Sequence, residues 1–111
     1  MKKLLILFVT FLTISVSLAQ TVHTGKVIAI KDGDTIVVLD SQNNQITLRL
    51  AEVDCPEKSQ PFGNNAKQFT SDQVFLKTIK YSVHDKDRYG RIVAKVYYDN
   101  NKYLSAEIIK A

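Results

Sequence analysis

The chain has 111 residues, 45% of them hydrophobic and 23% charged, with four Gly, two Pro and one Cys. That length holds one domain, and the mix is neither low-complexity, nor collagen-like, nor polar enough for disorder. A single Cys excludes a disulfide framework and a Cys-based zinc site, while a formal charge of +4 suggests an anionic partner.

In chain order, Met1-Lys2-Lys3 is a short positive segment, and Leu4 to Leu18 follows without a charge. Ser17-Leu18-Ala19 supplies the small residues at which a signal peptidase cuts, so residues 1–19 are expected to be a secretory signal. A membrane anchor is the competing reading. The run is shorter than the roughly 20 residues a span needs, and Thr10, Thr13, Ser15 and Ser17 dilute it. The expected mature chain, residues 20–111, carries 13 basic and 11 acidic residues and a net charge of +2. Such mild basicity does not by itself mark a nucleic-acid binder.

Thr24 to Ile30 predicts a first strand, closed by the turn signal Lys31-Asp32-Gly33-Asp34. Thr35 to Leu39 predicts a second, and Asp40 to Asn44 a polar hairpin tip. In Gln45 to Leu50, Ile46, Leu48 and Leu50 alternate with Thr47, Arg49 and Ala51, which turns Arg49 away from the core. Pro56 ends this pairing, and Glu57 to Gln60 is expected to be loop. From Asn64 to Leu76 a helix is predicted, with Ala66, Phe69, Val74 and Leu76 on its apolar face. Gln73 falls awkwardly near that face and Phe75 off it. Ile79, Tyr81 and Val83 alternate as a fourth strand, and Ile92 to Tyr98 is a fifth after a polar connection. Asp99-Asn100-Asn101 turns the chain into a helical segment, Tyr103 to Lys110.

Three strands, a helix, two strands and the start of a second helix is the order of an OB-fold, a five-stranded Greek-key barrel of mainly β (α+β) class. A small open β-sandwich is the alternative, and the helix after the third strand argues against it.

Three clusters carry potential chemistry: Asp32-Gly33-Asp34-Thr35; Arg49 with Asp54-Cys55-Pro56-Glu57; and Asp87-Arg88-Tyr89-Gly90-Arg91. Taken singly, each is an ordinary polar turn or loop. Together they assemble a reaction. Asp34 and Asp54, at the ends of neighbouring strands, are hard oxygen donors suited to Ca²⁺. Glu57 is placed to position or deprotonate a water, and Arg49 and Arg91 to clamp a phosphate. Cation, base and paired arginines are the parts that phosphodiester hydrolysis needs.

These residues resemble the staphylococcal-nuclease-like (thermonuclease) family. The matching segments are Asp32-Gly33-Asp34-Thr35-Ile36, Leu48-Arg49-Leu50, Val53-Asp54-Cys55-Pro56-Glu57, Gln60-Pro61-Phe62-Gly63, and Asp87-Arg88-Tyr89-Gly90-Arg91 with Val93-Ala94. They run in order from about Gly25 to the last residue. The resemblance implies a Ca²⁺-dependent nuclease that cleaves DNA and RNA to 3′-phosphorylated products. It assigns Asp34, Asp54 and the backbone carbonyl of Cys55 to the metal, where better-known members have Thr at the last position. Glu57 would be the candidate general base, or the residue that orients the attacking water, and Arg49 and Arg91 would bind the phosphate, with Arg88 and Tyr89 beside it. A secreted or periplasmic monomer without stable membrane insertion is the corresponding expectation.

Family members of usual length continue past the start of the second helix, whereas this sequence stops at Ala111. The acidic pair favours an enzyme, since a site that only binds an anion has no use for carboxylates. The short C-terminus favours a non-catalytic OB-fold module that binds nucleic acid, or an inactive family member. It also leads to the expectation of marginal stability for the mature chain. Asp32 is expected to shape its turn, Cys55 to be a partly buried thiol, and Tyr97, Tyr98 and Tyr103 to be core or sheet-face residues. His23 and His84 have no evident partner in the sequence.

Overall fold

The structure is a computed structural model that describes residues 21–57 and 60–111. The expected signal, residues 1–19, lies outside the described residues, as do two positions of the loop after Pro56. The elements in chain order are β1 (Val22–Asp32), β2 (Thr35–Leu39), β3 (Gln45–Leu50), α1 (Gly63–Val74), β4 (Thr78–Lys86), β5 (Ile92–Tyr98), β6 (Lys102–Tyr103) and α2 (Leu104–Lys110).

Antiparallel pairing runs β3-β2-β1-β4-β5, and a parallel β3–β5 pairing joins the two ends. The first five strands therefore close into a mixed OB-type barrel, which removes their free edges. β1 is longer than the sequence pattern indicates because it serves two neighbours. Val22 to Lys26 pairs with β4, and Lys26 to Asp32 with β2. Two register shifts, between Val27 and Ala29 and between Ile30 and Asp32, bend it from one half of the barrel to the other.

Val27, Ile36, Val38, Leu48, Leu50, Ile79, Ala94 and Val96 fill the barrel, while Val74 and Leu104 cap it from the helices. Strand alternation mostly held. Tyr98 is buried, and its hydroxyl donates to Gln73 Oε1 at 2.8 Å, which explains a polar residue near the apolar side of α1. Ala51, expected to face outward, is buried because the strand ends at Leu50 and Ser105 of α2 covers its carbonyl. In β4 the alternation fails after Tyr81: Ser82 is buried and Val83 exposed, just ahead of a register shift to Asp85.

Helix α1 ends two residues earlier than its apolar pattern suggests. Leu76 adopts φ 63°, and its N–H donates to Val27 O at 2.9 Å, so the chain leaves the helix to hook onto β1. At the other end of the chain, Asp99, Asn100 and Asn101 all take positive φ. Asp and Asn tolerate that conformation best after Gly. The turn they make lays Lys102–Tyr103 antiparallel on β5, so Tyr103 is a strand residue and α2 begins after it. Among the described residues no helix is long and apolar enough to cross a membrane.

Candidate active site

Barrel closure brings the three sequence clusters to one region. Thr35 opposes Arg49 across β2–β3, and Arg49 opposes Val93 in the parallel β3–β5 pair. The Gly33-Asp34 turn, the end of β3 and the Asp87–Arg91 turn are thus neighbours. Gly33 does not serve as a positive-φ hairpin residue. A Cβ there would meet Ala66 Cβ at 2.8 Å, so glycine is required for α1 to lie against the turn. Thr70 of α1 fastens that contact by donating to Gly33 O at 2.5 Å.

Asp34 is 6% exposed, and each of its oxygens has a partner. Its Oδ1 accepts the Thr35 hydroxyl at 3.0 Å, and its Oδ2 accepts the Cys55 N–H at 3.0 Å and faces Arg49 Nη2 at 3.3 Å. The same Nη2 lies 3.2 Å from Asp54 Oδ1, on a side chain that is 94% exposed. Arg49 Nη1 donates to Leu50 O at 2.8 Å and to Val53 O at 2.6 Å. One guanidinium therefore ties both acids to the backbone of the loop that follows β3.

That loop is pinned from behind. Ser105 Oγ donates to Ala51 O at 2.6 Å, and the Tyr103 hydroxyl donates to Glu52 Oε1 at 3.0 Å. Lys95 pairs with the same carboxylate at 3.3 Å. The Tyr103 hydroxyl, then Lys95, hold the Glu52 carboxyl below its ordinary value. Cys55 is a free, half-buried thiol, as expected. Burial, then the Asp34 charge, push it up to about 11, so its sulfur is neutral at physiological pH.

Arg91 is held differently. Its Nε donates to Asp87 Oδ2 at 2.7 Å, and its backbone N–H and that of Tyr89 both donate to Asp87 Oδ1 at 2.9 Å. Among the described residues no acceptor is taken by its two Nη groups. Arg88 and Arg91 both lie over the ring of Tyr89, at 5.4 and 5.5 Å, and that ring is 73% exposed. Tyr89 and Arg91 share an open groove with Thr35 and Asp32. Glu57 sits on an exposed loop. Its N–H donates to Gln60 Oε1 at 2.8 Å, and its carboxylate has no partner among the described residues.

The sequence reading missed the supports: Thr70, Ser105, Glu52 with Lys95, and Asp87 as the tether of Arg91. Only the last left a local signal, an acid four residues before an Arg across a tight turn. His23, without an evident partner in the sequence, stacks on Tyr81 at 5.2 Å. Among the described residues no three His, Cys, Asp or Glu side chains gather as a metal cluster.

Residues 47–111 match the family model described as staphylococcal nuclease homologue. The chain belongs to that family. It is 38% identical to an uncharacterized endonuclease of Haemophilus influenzae over 109 residues, which is 98% of this chain and 61% of the relative. It is 42% identical to the micrococcal nuclease of Shigella flexneri over 73 residues, covering 66% of this chain and 41% of that protein. The thermonuclease of Staphylococcus hyicus is 40% identical over 83 residues, 68% of this chain and 48% of that one. The chain thus spans about 61% or less of the length of these relatives.

Proposed function

We propose that this barrel hydrolyses phosphodiester bonds in DNA and RNA, leaving 3′-phosphorylated products, with Ca²⁺ as its cofactor. The observation that carries the reading is the convergence of Asp34 and Asp54 on one nitrogen of Arg49, beside a groove lined by Arg91. The donors fit a hard cation: two carboxylates, one buried and one facing solvent, next to the Cys55 backbone and a thiol that stays protonated. Asp34, Asp54 and the Cys55 carbonyl would hold the ion, with water completing its shell. When bound, it would supply Lewis-acid polarisation of a phosphate oxygen.

The chain's own groups account for the rest. Arg91, its guanidinium anchored among the described residues at Nε, offers its Nη groups to the scissile phosphate and strengthens its hold as negative charge develops. Arg49 contributes positive charge from beside Asp34 and Asp54. Arg88 and Tyr89 flank the phosphate at the rim. Glu57 projects from an open loop and takes a proton from the attacking water, or orients it.

Calorimetry with Ca²⁺ tests the ligand set. Asp34→Ala and Asp54→Ala should lose Ca²⁺ binding together with cleavage, and unchanged binding in both would remove the assignment. Glu57→Gln should depress turnover with binding of a 3′,5′-bisphosphate nearly intact. Equal losses of binding and turnover would make Glu57 structural. The monomeric, exported form is part of the same reading. It predicts that protein recovered outside the cytoplasm starts at Gln20, and recovery with residues 1–19 still attached would count against it.

A further inference from the structure

We infer that the outer face of β1, β4 and β5, beside the Asp99–Asn101 turn, is a second contact surface for single-stranded nucleic acid beyond the cleavage site. The inference rests on the nuclease reading above and concerns a part of the barrel that reading does not use.

Directly opposed residues of an antiparallel pair share a face. Lys26 opposes Thr78, Thr24 and Tyr97 both oppose Lys80, and Tyr103 opposes Tyr97. This places lysines and stacked tyrosines in one stripe. Thr78, Lys80, Tyr97 and the Lys77-paired Asp99 line a groove of about 310 Å³ that ends at Asn100 and Asn101. Tyr103 stacks on Tyr97 with ring centroids 5.2 Å apart and planes at 26°, which holds the Tyr97 ring as a rigid wall.

Charge selects the occupant. Lys77 is neutralised by Asp99 at 2.6 Å and Lys95 by Glu52 at 3.3 Å, whereas Lys26 and Lys80 have no ion pair among the described residues. Two uncompensated cations beside a fixed aromatic ring and two amide side chains suit a phosphate backbone carrying bases. The lysines take phosphates, the ring takes a base face, and the amides take base edges without strong sequence choice. An acidic protein segment would use the lysines and leave the ring idle. Along β5 the stripe lies about 20 Å from Arg91 at the usual strand rise. A short substrate therefore touches only the cleavage site, and a longer strand reaches both.

The test uses fluorescence anisotropy of the full chain in EDTA, with labelled single strands of about three and about 12 nucleotides, one below and one within ordinary OB-fold site sizes. Tyr97→Ala and the double variant Lys26→Ala/Lys80→Ala should each weaken the longer strand by about tenfold and leave the shorter one unchanged. Removing two lysines should flatten the salt dependence, log K against log salt, by about 1.4. Tyr97→Phe should bind as wild type does. Wild-type binding of the longer strand by both damaged variants overturns the inference, as does an equal loss for short and long strands. Lysine dependence without Tyr97 dependence would make the face a general polyanion surface, open to acidic proteins, and would overturn it too. Cleavage of the short substrate by wild type is scored separately, so failure of the nuclease reading is told apart from failure of this surface.

Discussion

Two arginines of the site, Arg49 and Arg91, are held in opposite ways. Arg49 is 19% exposed at its side chain and spends both Nη groups on Leu50 O, Val53 O, Asp34 and Asp54. Arg91 is 36% exposed at its side chain and, among the described residues, commits only Nε of its guanidinium, to an acid four residues away. The first is a structural joint that also carries charge. The second is a tethered hand with its fingers free. Chemistry at a phosphate benefits from both, since a fixed frame avoids reorganisation while an unengaged donor pair gives new hydrogen bonds to the ligand.

If that contrast is correct, Arg49→Ala has the largest effect of any single change at the site. It strands the buried Asp34 carboxylate and frees the loop that carries Asp54. Breaking a buried pair costs about 3–5 kcal/mol, and the exposed Asp54 moderates this to about 2–3 kcal/mol here. A urea melt should show that loss, with cleavage falling below detection. Arg49→Lys should rescue little, because a point ammonium cannot serve two carbonyls and two acids at once. Stability unchanged in Arg49→Ala would erase the distinction.

Arg91→Ala should do the reverse. Its ion pair is local and partly solvated, so stability should move by less than about 1 kcal/mol. Turnover should fall by about 10²–10³, the usual loss for one donor to a charged transition state. A melt and a rate on the same preparation separate the two variants, and parallel losses in both would mean the arginines share one role.

The sequence made the barrel legible because alternation at Ile46, Leu48 and Leu50 and at Ile92, Ala94 and Val96 is enforced by burial on one face. It also exposed the chemical residues, since Asp34, Arg49 and Arg91 sit at strand ends next to turn signals. It could not show how they are held. Thr70 and Gly33 are 37 positions apart, and Ser105 and Ala51 are 54 apart. Neither contact leaves a local pattern. Gly33 is the instructive case. Its Asp-Gly context suggests turn chemistry, yet its role is to let α1 approach.

Gly33→Ala therefore probes the fixed side of the site more gently than Arg49→Ala. The added Cβ meets backbone of Ala66 as well as its Cβ, so the helix or the turn must shift. Overpacking of this kind costs about 1–3 kcal/mol. Asp34 is the next residue, so cleavage should drop with stability. Asp87 and Arg91 stand on another turn, so the NMR signal of Arg91 Hε should stay in place. Movement of that signal would show the two turns to be one mechanical unit.

The smallest effect belongs to the tether itself. Burial raises the Asp87 carboxyl, but the Arg91 N–H, the Arg91 guanidinium and the Tyr89 N–H outweigh it and hold the group below its ordinary 3.8. A carboxyl depressed in the folded state adds stability above its unfolded value, and that contribution is lost as pH falls through the folded value. Acidification from pH 6 should thus leave the turn intact until below about pH 3.8, and then release Arg91 Nε and the Tyr89 amide together. Hydrogen exchange of those two protons is the measurement. Protection lost in one step at low pH fits a single tether. If both protons exchange freely at pH 6, the Asp87–Arg91 contact does not hold in solution. Arg91 would then reach the phosphate as an untethered side chain, and Asp87→Asn would leave cleavage unchanged.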